Sequence, residues 1–447
     1  MIADNDHHST RWRRLDTIDR RILALALPAF GALAAEPLYR LVDTAIVGRL
    51  GTEQLGGVAV ATSLLSLVIA GSNFLAYGTT QRLANRLGAG ERSGAADVGV
   101  QATWVAVFIG AIAAPLLAGF ARPLADAFGA SADVIDFAVT YLRISAIGVP
   151  FVIVGLAAQG TQRGASDYRS ALVVLVASNI VNAVVEPVLV FGFDLGVAGA
   201  AWSTVVAQVG AGVALWWRAR PHIADATTHR PAWREMGPLL GAGRHLLLRV
   251  TAMLVVFAGA TSIAARVDDS TLAAHSIAIT IFLFLALSLD ALAVPAQTLV
   301  AEELGKGGSG AAEVSRHAVR LSLWIGAALA VIVGGAAPLI ARAFSADDAV
   351  ISRATAALVI LAVMLLPAAI AFATDGSLIG AGDYQFLGRA AAGYLVAVIP
   401  IAAAVLVVDS LGIVGIWTGL FVWMVLRTVV NTRRANEILD APNAPTT

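Results

Sequence analysis

The sequence predicts an all-α integral membrane protein with twelve transmembrane helices in two six-helix bundles, parallel repeats related by pseudo-twofold symmetry. Three observations carry this expectation. Apolar residues make up 58% of the 447 positions and charged ones 13%, a balance that soluble domains of this length do not show. Apolar stretches of about 20 residues, the length of a helix crossing roughly 30 Å of hydrocarbon, recur from Ile22 to Val430. The two halves of the chain also resemble one another.

Each span is read from its apolar run and its stop. The first bundle takes 22–48, 54–81, 96–119, 134–157, 169–191 and 197–217. These runs are closed by Gly48, by Arg82, by Gly119, by "QGTQRGASD", by Gly192 and by Arg218. The second bundle takes 238–264, 272–300, 317–337, 351–372, 386–408 and 412–430, closed by Arg266, "AEELGKG", Pro338, Asp375, Asp409 and Arg433. The expected organisation is a cytoplasmic tail over 1–21, an N-terminal lobe over 22–217 and a cytoplasmic linker over 218–237. A C-terminal lobe over 238–430 and a cytoplasmic tail over 431–447 follow. The linker "RARPHIADATTHRPAWREMG" is polar and carries Pro221 and Pro231.

Net charge is zero, but arginines cluster before span 1 (Arg11, Arg13, Arg14, Arg20, Arg21), after span 2 (Arg82, Arg86, Arg92) and after span 6 (Arg218, Arg220, Arg230, Arg234). Arg427, Arg433 and Arg434 close the chain. The positive-inside rule then puts both termini in the cytoplasm of a multi-pass inner (plasma) membrane protein. The arginines are assigned to topology, not to nucleic acid. The polar N-terminus shows no small-residue cleavage site, so span 1 is expected to remain as an uncleaved anchor. Cysteine is absent, which excludes disulfides and thiolate metal sites. His7 and His8 fall in the polar tail and are assigned no metal.

A shift of 217 residues lays "GRLGTEQLGGVAVATSLLSLVIAGSNFLAYGTTQRLANRLGAGE" on "ARVDDSTLAAHSIAITIFLFLALSLDALAVPAQTLVAEELGKGG" without a gap. One residue later in frame, "GTQRGASDY" meets "GSLIGAGDY", pairing Gly160 with Gly376, Gly164 with Gly380 and Asp167 with Asp383. Three such stretches in one order mark a duplication. The shift carries six spans, an even number, so both copies run the same way through the membrane. Parallel repeats are a design of secondary transporters, with the substrate cavity between the halves. The repeated glycines and aspartates are read as turn formers: Gly88 and Gly305 as left-handed caps, Asp167 and Asp383 as N-caps of spans 5 and 11.

With repeat and motifs together, the chain resembles the multidrug and toxic compound extrusion (MATE) family and, within it, the DinF-like branch. The resemblance rests on "LVDTAIVGRLG", "TQRGASD", "NAVVEPVLVFG", "GVAGAAWSTVVAQ" and "GSLIGAGD". It implies two six-helix bundles that export cationic or lipophilic compounds, coupled to entry of protons or sodium ions. It also implies an ion-coupling acid at Asp43 in span 1 and an asparagine and acid in span 5 at Asn182 and Glu186. The family pattern usually has Asp where this chain has Glu186.

The residues themselves point the same way. Glu36, Arg40 and Asp43 fall within a sector of about 60° on span 1. Each ionised group at the bilayer centre costs about 2.5–3.5 kcal/mol, so that face must meet protein or water. Glu36 and Arg40, at i and i+4, read as an ion pair, leaving Asp43 as the titrating group; the proton is alternatively carried by Glu36 or by the trio as a unit. In span 5, Asn182 is expected to hydrogen-bond Glu186, with Asn179 one turn earlier and Pro187 freeing a backbone carbonyl. Gln159 and Gln162 either complete that site or are solvated at a helix end. The second half does not repeat this chemistry: Ala260 stands where Asp43 does, and "AVIPIAAAVL" offers no acid. Its polar residues are Arg249, His275, Asp290 and Asp375, with Arg249 donating to Asp290 in a structural network or in recognition of a cationic substrate.

The function expected is therefore proton-driven antiport of organic cations or amphiphiles by alternating access. Protonation of the Asp43 group would draw span 1 toward span 5 and bend it near Pro28 or Pro37. Sodium is the alternative coupling ion, since Asp43, Thr44, Asn182 and Glu186 supply hard oxygens. A flippase for lipid-linked sugar or phospholipid is a second class, served by Arg40, Arg143 and Arg249. A membrane enzyme is disfavoured, because no nucleophile setting or metal motif falls in any span. No cofactor is expected beyond the coupling ion, and the partners are small molecules and membrane lipids around a monomer.

Overall fold

The computed structural model describes the backbone of residues 5–440 and the side chains of residues 17–408 and 410–440; His7 and His8 lie outside the described side chains. Fifteen α-helices run through the described residues: α1 Asn5–Val47, α2 Thr52–Ser72, α3 Phe74–Gly88, α4 Arg92–Gly119, α5 Ala121–Asp126, α6 Ala132–Ser145, α7 Val149–Gly164, α8 Tyr168–Pro187, α9 Gly196–Ala219, α10 Trp233–Val267, α11 Asp269–Gly305, α12 Ala311–Phe344, α13 Asp348–Gly380, α14 Tyr384–Val407 and α15 Gly412–Leu439. Eleven spans among the described residues are long and apolar enough to cross a membrane, and twelve when α6 and α7, bent by 55°, count as one. The sixfold-plus-sixfold order follows the expected one. Large apolar side chains such as Leu27, Trp324, Val331 and Leu339 stay exposed on the helix surfaces, as a chain whose solvent is lipid requires.

The chain packs as two compact units, one spanning Gly31–Gly243 and the other made of the described residues on either side. They are called here the N-terminal and C-terminal lobes. The sequence set the boundary in the polar segment 218–237, whereas the packing changes lobe inside α1, after Phe30, and inside α10, after Gly243. The reason lies on α4, whose Asp97, Gln101 and Trp104 share one face and grip that segment. Asp97 accepts from Thr227 N at 2.8 Å and Thr227 Oγ1 at 2.7 Å. Gln101 donates to Arg230 O at 3.0 Å and accepts from Ala232 N at 2.8 Å, and Trp104 Nε1 donates to His229 O at 2.8 Å.

The repeat is visible in close helix contacts. A methyl group at Gly160 would lie 2.8 Å from the Ala76 carbonyl oxygen, and one at Gly376 would lie 2.2 Å from that of Ala293. Ala76 and Ala293 are themselves repeat partners, so α7 closes on α3 as α13 closes on α11, through residues without side chains. Asp167 and Asp383 cap α8 and α14, accepting from Ser170 N at 3.1 Å and Phe386 N at 3.3 Å. Gly88 and Gly305 end their helices without left-handed backbone. That conformation falls later, at Gly90 (φ 79°) and at Gly307 (φ 104°) and Gly308 (φ 85°). Each helix runs on to its last glycine, and the turn that reverses the chain follows it: Glu91 N closes on Arg86 O at 2.9 Å and Gly308 N on Glu303 O at 2.9 Å. After Pro187, α8 passes into one π-helical turn, Val188–Gly192, where the missing proline N–H breaks the regular ladder.

Candidate functional site

The N-terminal lobe gathers its polar side chains where α1, α6, α8 and α9 meet. On α1 the inward seam steps through Ala32, Ala35, Tyr39, Asp43 and Val47, at three- and four-residue intervals; all are buried except the half-buried Tyr39. Glu36 and Arg40 lie one position beyond that seam. They form the expected i,i+4 ion pair at 2.7 Å, but with side chains 61% and 48% exposed, and Arg40 also donates to Ser66 Oγ at 3.0 Å. The face that the sequence assigned to all three is therefore split, with Asp43 alone (6% exposed) turned into the helix packing.

Asp43 meets Glu186 of α8. Their carboxyl groups are within hydrogen-bonding reach of each other, and Tyr39 reaches Asp43 as well. Glu186 is fully buried, and no donor from the protein meets either of its oxygens or Asp43 Oδ1. Around them, Tyr39 and Tyr141 each place a hydroxyl 3.1 Å from Thr204 Oγ1. Thr204 gives its own hydrogen to Ala200 O at 3.0 Å, and its lone pairs face the two tyrosine hydroxyls. Asn182 is buried beside them but does not bond Glu186 as expected. Its Nδ2 donates to Ser203 Oγ at 3.3 Å on α9, and its Oδ1 is left without a donor. Asn179 donates to Ala35 O at 2.8 Å and ties α8 to α1.

Gln159 and Gln162 are not part of this cluster. Gln162 Nε2 donates to Leu215 O at 2.9 Å, and Gln159 accepts from Arg163 at 3.2 Å. Leu215 is eleven residues along α9 from Thr204, about 16 Å of helix rise away. Gln162 thus joins α7 to α9 at the other end of the lobe, and Gln159 bonds within α7.

The C-terminal lobe has a centre of its own that the sequence did not assemble. Asp375 of α13, 3% exposed, accepts from Arg249 of α10 and from Arg427 and Asn431 of α15. Tyr394 of α14 donates to Asn431 Oδ1 at 2.8 Å. Arg427 was read as a cytoplasmic charge at the chain's end. It is instead 3% exposed, stacked over Phe372 and Trp423 at 5.0 and 5.7 Å. Arg249 is held by Asp375, and Asp290 is half-buried on α11. His275 is buried, with Nε2 3.1 Å from Thr261 Oγ1 and its ring against Trp417.

Sequence reasoning missed Tyr39, Tyr141, Thr204 and Arg427. Tyr39 had a signal, one turn before Asp43 on the same side of α1. Arg427 had one too, as a lone charge in the apolar run "WMVLRTVV".

The sequence model of the MatE family matches residues 28–188 and again 246–404, one match per repeat. The chain is 31% identical over 446 residues to Protein DETOXIFICATION 44, chloroplastic, of Arabidopsis thaliana, covering 96% of this chain and 84% of that one. It is 29% identical over 315 residues to DNA damage-inducible protein F of Escherichia coli strain K12, covering 69% of each. Its fold superposes, with a TM-score of 0.88 at 20% identity, on an outward-facing multidrug resistance MATE family transporter of the MOP superfamily, covering 96% and 97% of the two chains. With both repeats matched in order around the helices just described, the chain belongs to the MatE family, a family of multi-span membrane transporters.

Proposed function

We propose that the protein is a proton-driven exporter of organic cations or lipophilic compounds, working by alternating access, with Asp43 and Glu186 as the coupling pair. The observation that supports this reading is their buried contact. Two carboxyls buried against each other, with the nearest guanidinium exposed and engaged by Glu36, are not both ionised. A proton must sit between them, and its loss requires either water or movement of α1 relative to α8. Asn179 ties α8 to α1, while Tyr39 and Asn182 fasten α1 and α8 to α9 beside that proton. The transporter is placed in the plasma membrane as a monomer, with both termini cytoplasmic, acting on small molecules and requiring no cofactor beyond the coupling ion.

Sodium is the second reading. Asp43 Oδ1, Asn182 Oδ1 and the two Glu186 oxygens are buried oxygens without a donor, the ligand type a hard monovalent cation takes. Proteoliposomes loaded with a fluorescent organic cation separate the two. Proton coupling predicts efflux on an imposed pH gradient in sodium-free buffer; efflux that needs a sodium gradient instead would overturn it. Unaltered proton-driven efflux by Asp43→Asn would remove the carboxyl pair from either reading.

A further inference from the structure

The first helix of each repeat begins in the lobe that it then leaves: α1 packs with the C-terminal lobe up to Phe30, and α10 with the N-terminal lobe up to Gly243. Different chemistry fastens the two starts. On α10 it is apolar. Met236 and Leu239 are buried, Gly78 faces Leu239 Cδ2, and a methyl group at Gly243 would meet the Phe74 ring at 2.8 Å. The residues just before α10 hang by backbone groups from Asp97, Gln101 and Trp104. On α1 a thin seam of Ile22, Ala26 and Ala29 is buried, and ion pairs are added to it. Arg21 donates to Glu302 of α11 at 2.6 Å. Asp19 accepts from Arg320 of α12 and lies 2.7 Å from Nδ1 of the buried His317. Glu302 also holds a cation of its own helix end, Lys306, at 2.7 Å.

We propose that the start of α1 is a releasable clasp: its ion pairs with α11 and α12 form in one state of the transport cycle and part in another, while the start of α10 stays fastened to its lobe. The inference rests on the alternating-access reading. A helix shared by two bodies that move must bend where it crosses or let go at one end. An apolar seam has no partner in water, whereas charges at a wetted surface exchange one partner for water at little cost. Arg21 and Arg320 are 46% and 47% exposed, and Lys306 still neutralises Glu302 once Arg21 leaves. The freed helix is the one that carries Asp43, so parting of the clasp lets that carboxyl shift against Glu186.

The chain has no cysteine, so engineered ones are unique. In proteoliposomes loaded with a fluorescent organic cation, Arg21→Cys and Glu302→Cys are joined by a bis-methanethiosulfonate cross-linker. Asp97→Cys and Thr227→Cys, joined likewise, are the control ahead of α10. Joining α1 should lower efflux at least tenfold, reversed by reductant, and joining the control should leave efflux within twofold. Unchanged efflux with α1 joined, or an equal loss in the control, would overturn the proposal. Absence of efflux in wild type on either ion gradient overturns the transport reading instead. The clasp is then read without transport, by nitroxide labels at Arg20→Cys and Ser309→Cys in the otherwise unaltered protein. Two distances are expected between them, their proportions shifting when the organic cation is added; a single distance with and without it overturns the clasp.

Discussion

The two lobes share one duplicated framework and bury opposite electrostatics in it. In the N-terminal lobe, Asp43 and Glu186 face each other with tyrosine and threonine hydroxyls around them and no guanidinium buried among them. In the C-terminal lobe, Asp375 is clamped by Arg249 and Arg427. Neither centre is present in both copies. Asp375 stands at the repeat position of Gln159, Arg249 at that of Ala32, and Asp43 at that of Ala260. A carboxylate held by fixed cations has no reason to change its ionisation and serves as a brace. A pair of carboxyls without one is where the proposed exchange of a coupling cation would take place. The duplication thus kept the packing and divided the chemistry.

Several substitutions would break or sharpen that contrast. Asp43→Asn and Glu186→Gln should each reduce gradient-driven dye efflux to the level of protein-free vesicles. Both should leave thermal stability in detergent near or above wild type, since each relieves a carboxyl pair buried without a cation. Asp375→Ala should do the reverse, costing about 3–5 kcal/mol of stability by leaving two guanidiniums uncompensated. Replacing Asp375 and Arg427 together by Leu and Met should recover part of that loss in the same unfolding measurement. If Asp43→Asn proves the more destabilising, the division of roles fails.

The repeat glycines test the framework itself. Gly376→Ala should destabilise more than Gly160→Ala, because its methyl group would come within 2.2 Å of a backbone oxygen as against 2.8 Å; overpacking costs about 1–3 kcal/mol. Tyr39→Phe and Tyr141→Phe each remove one hydrogen bond to Thr204, at about 1 kcal/mol apiece by thermal melt. Because both hydroxyls share one acceptor, the double variant should cost less than the sum.

The smallest effect is at a loop. Asp268 N-caps α11, accepting from Thr271 N at 2.8 Å, while its repeat partner Gly51 has no side chain to cap α2. That backbone N–H, with Arg353 beside it, holds the Asp268 carboxyl below the ordinary carboxylate range. The stabilisation is therefore present above the unfolded value of about 4 and lost as pH falls through the lower folded one. Asp268→Ala should cost about 0.5–1 kcal/mol at neutral pH and converge with wild type in acid; Gly51→Ala should show no such pH dependence.

Most of the fold was legible because hydropathy and the internal repeat are one-dimensional signals. All twelve spans fall on helices, and Asp43 and Glu186 come together, while Asn182 is buried beside them and bonds Ser203 in place of Glu186. What was not legible depends on rotation and crossing. Glu36 and Asp43 differ by only a small angle on α1, yet one is exposed and the other buried, because the buried seam runs through Ala35, Tyr39 and Asp43 and leaves Glu36 one position beyond it. Gln162 looks like a neighbour of Asn182 on paper, but bonds α9 eleven residues away from Thr204. Arg427 was counted with the terminal arginines by its distance from the chain end, although the apolar residues on both sides already placed it within a helix that has a buried face.

The grip of α4 on residues 227–232 bears on how this transporter is handled in the laboratory. A polar, proline-containing stretch between two halves invites epitope tags, reporter fusions and split-protein designs. Here such an insertion would pull three side chains of α4 off their partners and strip the satisfied backbone groups at the start of α10, so the tolerant sites for cargo should be sought elsewhere.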